Sequence, residues 1–155
     1  GLLTITARSA NIYGPGDLHW SRLVPNSCRL ALQGIAPQIN AGAADYQRDW
    51  LYIDDAVNAY QLLAEKGTPG EAYNVGTGQH CLATTEEIAQ AISNLAGAPL
   101  PLETGRRIKR EIPAQELDVS KMASLGWKAL TWLGNGLPNT VAWYREHLSN
   151  ASLTP

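Results

Sequence analysis

The sequence predicts an α/β fold built on parallel strands, and three observations predict it. Amphipathic helical segments alternate with short runs rich in β-branched or aromatic residues. Clusters of Gly and Pro punctuate the joins. Hydrophobic residues make up 45% and charged residues 17%, which is a globular balance and excludes a chain disordered by charge. The predicted order is β-α-β-α-β-α-extended-α-α, with no internal repeat and no low-complexity segment.

Leu3, Ile5 and Ala7 alternate with Thr4 and Thr6, the pattern of a buried strand. Asn11 to Asp17, with Gly14-Pro15-Gly16, reads as a loop. Ser21 is a candidate cap for a helix reaching about Gly34, with Pro25 near its first turn, where proline is tolerated. Pro37 to Tyr46 is irregular. Gln47 to Ile53 reads as a short strand, and Asp54 or Asp55 starts the next helix. Ala56, Tyr60, Leu63 and Ala64 form its expected stripe, and Gly67 and Gly70 end it. Glu71 to Val75 is a further strand. Thr84-Thr85-Glu86-Glu87 is a capping box, followed by a face of Ile88, Ala91, Ile92 and Leu95; Gly97 and Pro99 stop that helix. Glu103 to Arg110 is basic and extended. Asp118 or Ser120 caps a short helix ending at Gly126. The last helix starts near Leu137-Pro138-Asn139, with Leu137, Val141, Tyr144 and Leu148 on one face.

The 155 residues carry 12 Lys+Arg against 14 Asp+Glu, so no field draws nucleic acid over the whole surface. No apolar run reaches the roughly 18 residues of a membrane helix, and the start lacks the basic region of a signal peptide. Two cysteines, Cys28 and Cys81, allow one disulfide but no disulfide scaffold, and favour a cytoplasmic origin. His19, His80 and His147 are too scattered for a metal site. Arg106, Arg107, Lys109 and Arg110 read either as a solvated loop or as a phosphate-binding stretch. Asp54 and Asp55 suit a helix N-terminus better than catalysis. Arg48, between Tyr46 and Trp50 in a half-buried run, needs an anionic partner: Asp49, another acid, or a ligand phosphate.

Read together, five segments resemble one family. Arg8-x-x-Asn11-Ile12-Tyr13-Gly14-Pro15-Gly16-Asp17 is similar to the loop after the sixth core strand of extended short-chain dehydrogenase/reductases. Arg48-Asp49-Trp50-Leu51-Tyr52-Ile53-Asp54-Asp55, Glu71-Ala72-Tyr73-Asn74-Val75-Gly76, Leu117-Asp118-x-Ser120-Lys121 with Leu125-Gly126-Trp127, and Gly136-Leu137-x-x-Thr140-Val141-x-Trp143-Tyr144 follow in family order. Within that NAD-dependent epimerase/dehydratase family the chain most resembles the nucleotide-sugar 4,6-dehydratases and epimerases. Asp17 to Pro25 and Glu111 to Asp118 are similar to a subgroup that includes CDP-glucose 4,6-dehydratase-like proteins.

The resemblance covers the family's C-terminal half. It implies the last strands of a Rossmann-type parallel sheet, at about 1–10 and 70–76, plus a small C-terminal substrate-binding part, all within residues 1–155. It implies lyase or isomerase chemistry with NAD in the full-length family, on a nucleoside diphosphate sugar. Asn11 would contact the sugar diphosphate, Arg48 a phosphate, and the helix beginning near Arg22-Leu23 would lend its amides. Asn74 joins this substrate-binding set, and Ser9 and Ala10 would border the nicotinamide. Many relatives carry an Arg shortly before Asp-x-Ser-Lys; here the stretch is Pro113-Ala114-Gln115-Glu116, so either Arg110 substitutes or the contact is missing.

The 155 residues contain no Gly-x-x-Gly-x-x-Gly, and no Tyr has Lys four residues on. The dinucleotide fingerprint and the proton-moving couple are therefore outside this sequence. The expectation is a substrate-binding half, inactive and without NAD by itself. Gly1 opens straight into a strand-like segment, as if inside a core sheet, and the open sheet edge points to a homodimer or larger assembly. The alternative is a free-standing binding or interaction protein derived from that half; the upstream coding sequence separates the two.

Overall fold

A computed structural model describes residues 3–104 and 112–151. Its elements are β1 (Thr6–Ser9), β2 (Asn11–Tyr13), α1 (Leu23–Leu32), β3 (Gln38–Asn40), β4 (Gln47–Tyr52), α2 (Ile53–Lys66), β5 (Ala72–Val75), β6 (Leu82–Thr84), α3 (Thr85–Ala96), β7 (Leu102–Thr104), β8 (Ala114–Gln115), α4 (Ser120–Ser124) and α5 (Leu133–Ala151). The α/β class and the parallel pairing are as the sequence predicts. β1 runs parallel to β5, β2 to β4, β3 to β7 and β8 to β4; among the described strands β6 alone is antiparallel, against β4.

β4 is the central element, with every residue after Gln47 buried. Side chains alternate across a strand, and here each side meets its own core. Trp50 and Tyr52 pack with Tyr13, Val24, Cys28, Ile88, Ile92, Val141 and Tyr144 under α1, α3 and α5. Leu51 packs oppositely with Ala10, Ala56, Ala59, Leu63, Tyr73, Val75, Met122 and Trp127, beneath α2 and α4.

The predicted capping box closes at both ends: Thr84 Oγ1 accepts from Glu87 N at 3.1 Å, and Thr84 N donates to Glu87 Oε2 at 2.7 Å. Gly97 ends α3 in the left-handed region, φ 73°. Several expectations are corrected. The first strand is not buried: Leu3 is 84% exposed and Thr6, Ala7 and Arg8 face outward, because β1 pairs only with β5 among the described residues. Asn11–Tyr13 is a strand, not loop, since it pairs Asn11 with Trp50, Ile12 with Leu51 and Tyr13 with Tyr52. Ser21 does not cap α1; its hydroxyl bonds His19 Nδ1 at 2.9 Å, and Arg22 is the N-cap residue.

The buried side of α2 is Asp55, Ala56, Ala59 and Leu63, not the Tyr60 and Ala64 stripe, because Tyr60 turns out to bond Ser9 Oγ at 2.8 Å. Likewise, α3 buries Ile88, Ala89, Ile92 and Ser93, while Leu95 lies at the surface. α5 starts at Leu133, a turn earlier than predicted, and contains Pro138. The carbonyl that Pro138 deprives of a donor belongs to Gly134, which is exposed and can be solvated. The short strands β3, β6, β7 and β8 carry no strand signal of their own and exist through their partners.

Gly136 sits where α5 packs against Tyr13 of β2 and Tyr52 of β4. A Cβ there would overlap the Tyr13 hydroxyl and meet Tyr52 Cδ2, both in the buried core. Gly136→Ala is expected to lower unfolding stability by about 1–3 kcal/mol through overpacking, measured by chemical denaturation.

Candidate functional site: the cleft at the start of α1

α1 opens differently from the two helices after it. α2 and α3 place acids in the first turn, Asp54 and Asp55, and Glu86 and Glu87. α1 has none, and its N-cap Arg22 makes no side-chain cap bond. The first N–H groups of a helix need partners and carry partial positive charge. Here they open onto a cavity of about 450 Å³ lined by Ala10, Asn11, Asp17, Arg22, Leu23 and Trp50, among others. A second cavity, about 510 Å³, shares Asn11, Arg22, Leu23 and Trp50 and adds Arg48, Asn40, Thr85 and Thr104. The two form one cleft.

β4 brings Arg48 there by its alternation: Arg48 lies on the Trp50 and Tyr52 face. Arg48 is 8% exposed, donates from Nη1 to the Gln47 carbonyl at 2.9 Å, and lies 5.5 Å from the Tyr46 ring centroid, within cation–π range. Asp49 points to the other face. Its carboxylate accepts from Thr77 N at 3.0 Å and Thr77 Oγ1 at 2.5 Å, so its role is to tie β4 to the turn after β5. Burial pushes the Asp49 carboxyl above its ordinary range, against the opposing pull of the Thr77 bonds.

Asp55 and Asp118 are structural too. Asp55 accepts from the amides of Leu130 and Thr131 at 3.1 and 2.9 Å, pinning the segment before α5 to the start of α2. Asp118 Oδ1 accepts from Ser120 N at 2.9 Å, shaping the entry to α4. Lys121 pairs with Glu71 Oε2 at 2.7 Å and the Ala72 carbonyl at 2.9 Å. The Asp-x-Ser-Lys segment thus clamps α4 to β5.

Of the site residues read from the sequence, the structure brings Asn11, Arg22, Leu23 and Arg48 together, with Ala10 at one wall. It places Asn74 elsewhere: its Nδ2 donates to the Asp118 carbonyl at 3.0 Å. Ser9 is engaged by Tyr60, and Ala10 has only a methyl group. This pair can border a dinucleotide but cannot hold its phosphates. Arg110 and the basic run around it lie outside the described residues. No cluster of three metal-ligating side chains occurs among the described residues, and no described helix is long and apolar enough to cross a membrane. Cys28 and Cys81 are both free; burial pushes the Cys28 thiol up to about 12.

Sequence reasoning missed Asp17, Asn40, Trp50, Thr85 and Thr104 as lining residues. Asn40 and Thr104 are opposite partners in the β3–β7 pair, a juxtaposition with no local signal. Asp17 alone was detectable, since an Asx turn two residues before His19 is a local feature.

Residues 1–76 match the model of the NAD dependent epimerase/dehydratase family. The chain is 32% identical to the dTDP-glucose 4,6-dehydratase of Salmonella typhimurium over 93% of this chain and 41% of that enzyme. It superposes on the UDP-glucose 4-epimerase of Thermotoga maritima, solved with UDP-glucose, with a TM-score of 0.83 and 32% identity, covering 93% of this chain and 46% of that one. A dTDP-glucose 4,6-dehydratase from Streptomyces venezuelae, solved with NAD bound, gives a TM-score of 0.85 at 28% identity, over 96% and 45%. The chain spans less than half the length of the curated relatives it matches.

The Asp49 shift has a sign. A raised carboxyl pKa in the fold contributes stability that is complete below the unfolded value and is lost as pH rises through the folded one. As pH falls from neutral toward the ordinary 3.8, the native chain should gain stability relative to Asp49→Asn, which removes the titration. Urea unfolding of both proteins across that range checks it.

Proposed function

We propose, from the premise that residues 1–76 belong to the NAD dependent epimerase/dehydratase family, that this chain binds a nucleoside diphosphate sugar in the cleft at the start of α1. The observation that carries the reading is the convergence of Arg22 and Arg48 with Asn11 on a helix start that lacks an acid or side-chain cap. Two guanidinium groups, Arg22 and Arg48, line the cleft together with Asn11 and Trp50. A diphosphate supplies the negative charge this site favours, and Arg binds phosphate oxygens through paired N–H donors.

The chemistry of the cleft then divides as follows. Leu23 and Val24 amides at the helix start donate to one phosphate. Arg48, fixed by its place on β4 and by burial, meets the charge from the sheet side. Arg22 approaches from the mouth, where its exposure makes it adjustable. Asn11, with both a donor and an acceptor, suits the link between phosphate and sugar. Trp50 supplies an apolar wall. The structures solved with UDP-glucose in the Thermotoga maritima epimerase, and with NAD in the Streptomyces venezuelae dehydratase, support the substrate and cofactor class.

NAD, when bound in the full-length family, supplies hydride transfer. This chain's residues contribute substrate grip and orientation, and its 155 residues hold no Tyr with Lys four residues on. The chain alone is therefore an inactive binding half. The exposed β1 and the outward Val57 and Tyr60 of α2 support self-association, expected as a dimer or larger in light scattering at micromolar concentration; a clean monomer overturns that part.

The test is titration of the 155-residue chain with UDP and dTDP by calorimetry. Binding is expected, with Arg48→Ala and Arg22→Gln each weakening it by roughly tenfold or more, as for lost charge-assisted hydrogen bonds. No NAD-dependent turnover of UDP-glucose or dTDP-glucose is expected. Absence of binding, or turnover by this chain, overturns the reading.

A further inference from the structure

Arg22 poses a problem of positioning. Its side chain is 63% exposed and pairs with Asp17 Oδ2 at 3.0 Å. An exposed ion pair is worth only about 0–1 kcal/mol, too little to hold a loop in place. Yet the loop between β2 and α1 includes two glycines at positive φ, Gly14 and Gly16, and so has conformational freedom to lose.

The loop is held elsewhere. Asp17 uses three oxygens: Oδ1 accepts from His19 N at 2.9 Å, Oδ2 from Arg22 Nη1 at 3.0 Å, and its carbonyl from Tyr144 Oη at 2.5 Å. Tyr144 lies on α5, 127 residues away in the chain. It is completely buried, with its ring near Trp20 at 6.0 Å and Trp143 at 5.0 Å. Burial, then the neighbouring Cys28 and Asp17, pushes the Tyr144 hydroxyl well above its usual pKa, so it stays a donor. A rigid core side chain thus grips the backbone of the residue that orients Arg22.

We propose that Tyr144 is a positioning residue for the cleft: from α5 it fixes the Asp17 carbonyl and so sets the Asp17–Arg22 pair at the anion-binding mouth. The inference rests on the diphosphate reading above. It also assigns Asp17 a task, as the joint that turns a core hydrogen bond into the placement of a surface guanidinium.

Tyr144→Phe keeps the ring and removes the joint. UDP affinity of the 155-residue chain is expected to fall roughly 3- to 10-fold, the loss of one hydrogen bond's worth of order. In an Arg22→Gln background the same change should cost nothing further, since the two act in series. Amide exchange at His19 and Arg22 should quicken several-fold, with α3 amides unaltered. Equal losses with and without Arg22, or unchanged exchange at His19 and Arg22, overturn the proposal. If the native chain fails to bind UDP, the diphosphate reading fails, and the exchange rates still decide whether Tyr144 holds the loop.

Discussion

The alternation of side chains along β4 is the constraint on which the rest depends. Five consecutive residues, Arg48 to Tyr52, are buried, and their two faces serve different cores. A one-residue slip of this strand would carry Arg48 out of the cleft and drive Asp49 into it, while exchanging Trp50 and Leu51 between cores. Burial on both faces makes such a slip costly. The aromatic bulk of Trp50 and Tyr52 therefore does more than fill space. It fixes the depth and direction at which the Arg48 guanidinium reaches the cleft.

The carboxylates show the same economy. Asp49, Asp55 and Asp118 all accept backbone amides from segments distant or adjacent: Thr77, Leu130 with Thr131, and Ser120. Each binds a loop to a regular element. With these three engaged elsewhere, Asp17 is the one carboxylate among the described lining residues of the cleft. Gly76 follows from Asp49, because a Cβ at that position would overlap the Asp49 carboxylate. Motifs that look chemical in the sequence are thus partly the joints of the fold.

The legible parts were those with local physical signals. The capping box at Thr84 and Glu87, the Gly97 stop and the β4 run follow from propensity and hydrogen-bonding geometry within a few residues. Asn11, Arg22, Leu23 and Arg48 were legible through a family resemblance, and the cleft gathers them. The same resemblance places Asn74 in the substrate-binding set; in the structure its Nδ2 donates to the Asp118 carbonyl. Tyr60 looked like core by period, but the helix turns its hydroxyl toward Ser9. A period shows which residues share a face; it does not show which of two adjacent faces the sheet covers.

By itself the sequence determined the α/β class, the capped start and glycine stop of α3, and the Gln47–Tyr52 run as a strand. These depend on interactions between near neighbours and on the period of apolar residues. Only the tertiary structure decided that Asn11–Tyr13 becomes a strand, that Asn40 and Thr104 face one another, and that Tyr144 reaches Asp17. Each depends on groups far apart in the chain, whose meeting is set by how α1, α3 and α5 pack over one face of β4. The physical reason is the range of the forces involved. Backbone preference acts over a few residues, whereas a shared core sets the register of everything that touches it.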